Sequence, residues 1–270
     1  MTLRIATLNV CGLPSWLSRL PPIEDRAAGI GRSLEASEVD VFTVQELWGR
    51  RSARALQRHL PSFRHVAWHA AASGGPAGGV ATFSRRPLGP VRYRSFAGTA
   101  PRTSTPSFRA WRALNARRQG MLAVTLDDVL IVTTHLTANK DGDWSEGNRY
   151  YQFHRDQLAV LHAFVRERGP ARQTVLTGDF NIASRSPLHR FVTEDGAWHD
   201  PFEHTDLTTF RAEYLPRGST VHRIDYILLD GPAEAHDARA LFADEVLSDH
   251  VGLTLALRGG TRVVTPPPPV

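Results

Sequence analysis

Four stretches of this chain read as buried strands that stop on a polar side chain. They are residues 3–9 (LRIATLN), 39–46 (VDVFTVQE), 130–135 (LIVTTH) and 174–181 (TVLTGDFN), ending at Asn9, Glu46, His135 and the Asp179/Asn181 pair. In the last, an apolar run enters a Gly turn that presents Asp179, Phe180 and Asn181. A carboxylate or amide at the end of a buried strand is expensive unless something binds it, and a divalent cation or a phosphate would do so. A fifth polar cluster, Ser248-Asp249-His250, stands near the C-terminus.

The elements between these strands set the fold class. Helical spacing appears over residues 23–37, 51–60 and 150–168, with a short helix at 186–193. Further strands are expected at 65–69, 80–84, 91–96, 121–126, 223–229, 238–243 and 252–257, with a hairpin turning at Asp127-Asp128. Residues 98–119, rich in Arg, Ser, Thr and Pro, read as irregular. Several strands follow one another directly, so a doubly wound parallel sheet is excluded and mainly antiparallel pairing is expected. The expected fold is α+β: a four-layer α/β sandwich of two packed sheets flanked by helices, with all the site strands ending at one edge. One domain covers residues 1–260, and a Pro-rich tail, 261–270, follows it as a disordered segment.

Composition narrows the function class. No window approaches the about 20 apolar residues that span a bilayer. No secretory leader precedes the first strand, so a cytoplasmic monomer is expected. Cys11 is the only cysteine and cannot form an internal disulfide; a small filler residue is the expectation, a reactive thiol the alternative. The net charge is +5, and Lys140 is the only lysine. Arg-borne positive charge favours an anionic partner: nucleic acid, a phospholipid surface or a phosphorylated small molecule.

The residues at the strand ends suit phosphoester hydrolysis, which needs an activated water and stabilisation of the charged transition state. Glu46 and Asp249 are suitable anionic ligands for Mg²⁺, and Asn9 and Asn181 offer carbonyl oxygens. Asp179 and His250 are both candidates for the general base, and His135 for a donor to a phosphate oxygen. Asp225 is placed to orient His250. A zinc site lacks support, with no HExxH motif or Cys pair, and a Ser nucleophile lacks its GxSxG.

Asn9 in TLNV, Gln45-Glu46, GGVATFS, Thr134-His135-Leu136, GDFN, RIDY at Arg223–Tyr226 and SDH at Ser248–His250 together resemble the endonuclease/exonuclease/phosphatase superfamily, in the same order and over residues 3–258. The resemblance implies a Mg²⁺-dependent phosphoesterase (Mn²⁺ able to substitute) with in-line attack by water. It implies Glu46 as principal metal ligand with Asn9 and Asp249 nearby. It further implies Asp179 and Asn181 positioning water and phosphate, His135 as transition-state donor, and His250 held by Asp225 as second catalytic histidine.

Asn9-Val10-Cys11-Gly12-Leu13-Pro14, Leu47-Trp48 and His154-Arg155-Asp156-Gln157 are similar to the neutral sphingomyelinase branch, although an aromatic usually stands at the place of Cys11. The abasic-site endonuclease branch typically has a Lys where this chain has Leu47. The resemblance therefore points to a phospholipid such as sphingomyelin. A nuclease, or a phosphatase for a small phosphorylated metabolite, is the alternative. Trp111, Trp144, Arg149 and Arg155 are the candidate substrate contacts.

Overall fold

The structure is a computed structural model describing residues 2–102, 104–167, 171–193 and 198–259. The Pro-rich tail falls outside the described residues. In chain order the elements are β1 (Thr2–Asn9), α1 (Ser15–Ser18), α2 (Ile23–Glu35), β2 (Val41–Gln45), α3 (Arg50–Arg58), β3 (His65–Ala67), β4 (Ala81–Ser84), β5 (Arg92–Ser95), α4 (Pro106–Arg118), β6 (Gly120–Leu126) and β7 (Val129–His135). Then come α5 (Tyr151–Arg166), β8 (Gln173–Asp179), α6 (His189–Thr193), β9 (Asp225–Asp230), β10 (Glu234–Leu241) and β11 (Gly252–Arg258).

Two sheets form, ordered β10-β11-β1-β2-β4-β3 and β5-β6-β7-β8-β9. Only β1–β2 and β7–β8 pair in parallel among the described strands, and these pairs lie inside the sheets. A parallel neighbour needs a crossover, and α2 and α5 supply it. Both crossovers lie outside: α2 and α3 cover the first sheet through Ile30, Leu34 and Leu56, and α5 covers the second through Leu158, Leu161 and Phe164. The result is the expected four-layer α+β sandwich.

Strand periodicity explains where the site forms. Alternate residues of the central strands face the space between the sheets. Along β1 these are Leu3, Ile5, Thr7 and Asn9; along β2, Val41, Thr43 and Gln45; along β7, Ile131, Thr133 and His135; along β8, Val175, Thr177 and Asp179. The first members form an apolar layer with Leu229 and Leu255. Next come hydroxyls and an amide, two of whose bonds cross the gap while one joins β1 to β2. Thr43 Oγ1 lies 2.9 Å from Thr177 Oγ1, and Gln45 donates to Thr7 and Thr133, each at 3.0 Å. The last members are the polar strand ends. The sheet interface thus grades from hydrocarbon to hydroxyl to carboxylate toward one edge.

One expectation fails outright. Residues 98–119 are not irregular throughout: Pro106–Arg118 is helix α4, capped by Thr105, whose side chain accepts from Phe108 N–H at 3.4 Å. Proline at the first helical turn loses no hydrogen bond there and its fixed φ suits the helix. The short α1 was likewise not expected, and β10 begins four residues earlier than its sequence suggested.

Candidate active site

The strand ends converge. Asn9 at the end of β1 donates from Nδ2 to Asp179 Oδ2 at 2.9 Å and to Glu46 Oε1 at 3.3 Å, linking the two sheets. Its Oδ1 accepts from Cys11 N–H at 3.0 Å. In this arrangement Asn9 bridges two carboxylates through its Nδ2. Glu46 and Asn181 both adopt left-handed backbone (φ 59° and 52°), which turns their side chains back over the strand ends. Gly12 permits this geometry: a Cβ on it would meet the Glu46 carbonyl oxygen at 2.0 Å.

Asp179 is buried and accepts from Asn181 N–H at 2.8 Å. Its Oδ2 lies 3.6 Å from His135 Nε2 and 3.8 Å from His250 Nε2. Burial, with the Asp225 charge, pushes its pKa up to about 8. On its far side, His250 Nδ1 meets Asp225 Oδ2 at 2.8 Å. Burial pulls His250 down, but the Asp225 and Asp179 charges outweigh it and raise the imidazole to about 10. His135 is the opposite case: burial, with the nearby His250, lowers it to about 3. One histidine is thus held as imidazolium and the other neutral.

Asp179, Asp225 and His250 offer ligand atoms within 4.8 Å of one another. The 2.8 Å His250–Asp225 bond reads as an oriented acid–base pair. Glu46 fits a cation better. Its Oε2 is buried with no hydrogen-bond partner, and burial, with the Asp249 charge, raises it to about 7. A buried carboxylate with an orphaned oxygen, beside a second carboxylate charge that raises its proton affinity, suits a hard divalent cation. Cys11 does not compete, because burial, with the Asp249 and Glu46 charges, keeps its thiol protonated.

The weaker substrate assignments divide. Trp111 is exposed and lines a cavity with Trp48, just beyond Glu46. Trp144 donates to the Asn181 carbonyl at 2.9 Å, so it braces the site. Arg149 is tied to both oxygens of Asp141 at 2.6 and 2.8 Å. Arg155 stacks on Phe191, 4.2 Å from the ring centroid, and lines a separate pocket that no catalytic residue enters.

Four supporting residues were given no role by the sequence reading. Gln45 cross-links the sheets directly behind the site. Arg26 on α2 is buried and donates to the carbonyls of Pro21, Val10, Cys11 and Leu247, clamping the loop after β1 to the segment carrying Asp249. Arg223 and Asp200 form a buried ion pair at 2.7 Å beneath Tyr226. The recurring Thr-x-polar endings (Thr7-Leu8-Asn9, Thr43-Val44-Gln45, Thr133-Thr134-His135, Thr177-Gly178-Asp179) were the available signal for the hydroxyl layer, Gln45 included.

Comparison with known proteins agrees with this geometry. No curated protein matches the sequence significantly. Sphingomyelinase C from Streptomyces griseocarneus superposes with a TM-score of 0.69 at 18% identity, covering 96% of this chain and 100% of that one. A Staphylococcus aureus beta toxin variant with bound magnesium ions gives 0.69 at 16%, covering 94% and 99%. A humanized D. rerio TDP2 gives 0.68 at 18%, covering 96% and 99%. At such identities these structures show a shared fold. The model of the Endonuclease/Exonuclease/phosphatase family matches residues 6–250, which contain every strand-end residue described above. The chain therefore belongs to the Endonuclease/Exonuclease/phosphatase family, and is a phosphoric ester hydrolase.

Proposed function

We propose that the protein is a Mg²⁺-dependent phosphodiesterase that attacks a phospholipid at a membrane surface. The observation that carries the lipid reading is where the exposed apolar side chains stand. Of the seven large ones among the described residues, Leu13 and Trp111 line the cavity beside Glu46, and three more share the segments that carry them. Leu13, Trp16 and Leu17 lie on the loop and helix α1 beyond Asn9; Trp111 and Leu114 lie on α4. Two apolar banks beside an active site suit an interface of acyl chains and headgroups, with arginines at the phosphate level. No helix of the described chain is long and apolar enough to cross a membrane.

In the reaction, Asp179 takes the proton of the attacking water. The water oxygen bonds to phosphorus as the ester P–O bond breaks in line, and its electron pair leaves with the ester oxygen. His250, kept protonated by Asp225, and neutral His135 donate to the phosphoryl oxygens. Glu46 and Asp249 would hold the cation, which when bound neutralises charge on the phosphate.

A substrate panel with Mg²⁺ and with EDTA tests this: sphingomyelin, phosphatidylcholine and phosphatidylglycerol vesicles, a plasmid, an abasic oligonucleotide and nucleotide diphosphates. Mg²⁺-dependent headgroup release from vesicles is the expected result. Cleaved nucleic acid with inert lipids would replace the lipid reading with a nuclease.

A further inference from the structure

Three arginines are buried among the described residues, and two are fully accommodated. Arg26 holds four carbonyls and Arg223 holds Asp200. Arg112 on α4 is different. It is 2% exposed, yet its Nε has no hydrogen-bond partner and its Nη2 donates only to the Tyr150 hydroxyl. Its guanidinium is held among the rings of Trp111, Tyr150 and Phe108 at 4.2, 4.7 and 5.2 Å. No carboxylate pairs with it among the described residues; the nearby Asp141 already has both oxygens on Arg149. Ring faces attract a cation but do not satisfy its N–H donors. A buried, underbonded guanidinium carries a desolvation penalty that an anion relieves.

Arg112 lines the cavity of about 630 Å³ beside the active site. The walls come from Leu13 after β1, Trp48 after Glu46, and Thr137 after His135, so the cavity continues directly from the strand-end cluster. Arg118 and Lys140 are its other charged residues, and no Asp or Glu lines it. Burial, with the Arg149 charge, lowers Arg112 to about 10, so it remains charged at neutral pH.

We propose that this cavity is an anion subsite, in which Arg112 receives a second phosphate or other oxyanion carried by the substrate next to the scissile phosphoester. Trp48 and Trp111 supply its apolar walls, and Arg118 and Lys140 its cationic mouth. A cationic choline headgroup would meet three like charges there, so the preferred substrate has an anionic headgroup or is a diphosphate. That the occupant belongs to the substrate rests on the phosphoesterase reading; the binding does not.

The test is calorimetric titration of methylenediphosphonate into the full chain in EDTA, for the wild type, Arg112→Gln and Arg112→Lys. The wild type binds, Arg112→Gln weakens binding about tenfold or more, and Arg112→Lys falls between. Equal affinity in wild type and a folded Arg112→Gln overturns the proposal. If Arg112→Gln does not fold, the exposed Arg118→Ala and Lys140→Ala decide. A several-fold weakening in each supports the subsite, and no change in either overturns it. Flotation with phosphatidylglycerol and phosphatidylcholine vesicles identifies the source. Arg112-dependent capture by phosphatidylglycerol, displaced by the diphosphonate, assigns a lipid headgroup. Arg112-dependent binding of the diphosphonate without capture assigns a soluble diphosphate. Because EDTA prevents turnover, a hydrolase without this binding refutes the subsite alone, and binding without hydrolysis refutes the reaction alone.

Discussion

His250 Nδ1 and Asp225 Oδ2 sit 2.8 Å apart in a pair that solvent barely reaches. Asp225 is fixed in turn, because its backbone N–H donates to Thr209 Oγ1 at 3.1 Å. Asp225 therefore sets both the direction and the charge of the imidazole. Since the folded pKa is raised to about 10, the imidazolium persists below that pH and is lost above it. Asp225→Asn should lower kcat about a hundredfold and move the alkaline limb of the pH–rate profile down toward the ordinary histidine range. A profile unchanged in both height and limb would remove Asp225 from the mechanism.

Gly12 tests the close contact between the loops after β1 and β2. A Cβ there meets the Glu46 carbonyl oxygen at 2.0 Å, so one chain segment must move. Gly12→Ala should destabilise the fold by about 1–3 kcal/mol and weaken Mg²⁺ activation by displacing Glu46. Urea unfolding and a Mg²⁺ titration of activity read the two effects separately.

Asp200 and Arg223 test the buried pair beneath the site. Asp200→Ala leaves Arg223 charged, buried and unpaired, a loss of about 3–5 kcal/mol. The double variant Asp200→Ala/Arg223→Met should recover much of it, measured by denaturant unfolding. Equal instability of single and double variants would mean that the pair's charge is not what matters.

His154 gives the stability a pH signature. Its Nε2–H donates to the Thr137 carbonyl at 2.7 Å, and burial lowers its pKa to about 4. A depressed folded pKa means that the unfolded chain binds the proton first. The stabilising contribution is present above the unfolded value of about 6.5 and is lost as pH falls toward 4. The wild type should lose up to about 3 kcal/mol more than His154→Gln between pH 7 and pH 4. Parallel pH–stability curves would contradict this.

What the sequence revealed and what it hid have physical causes. The strand ends were legible because period-two patterning puts each polar terminus in line with a buried apolar series, as in Ile131, Thr133 and His135. Helix α4 was missed because its pattern points the wrong way. It buries Arg112 and Ala116 while exposing Trp111 and Leu114, so apolar spacing marks the solvent side. Thr105 and Pro106 were its readable start. Arg26 and Asp200 look like surface residues in any linear reading. Only the folded chain shows that Arg26 meets four carbonyls and that Asp200 meets Arg223.

The central claim is that Glu46 makes phosphoester hydrolysis metal-dependent. The direct measurement is turnover of the best panel substrate by wild type and Glu46→Gln, each in Mg²⁺ and in EDTA. The wild type should be active in Mg²⁺ and lose at least about a hundredfold in EDTA, while Glu46→Gln should be nearly inert in both. Full wild-type activity in excess EDTA, or a Glu46→Gln protein as active as the wild type, would contradict the account.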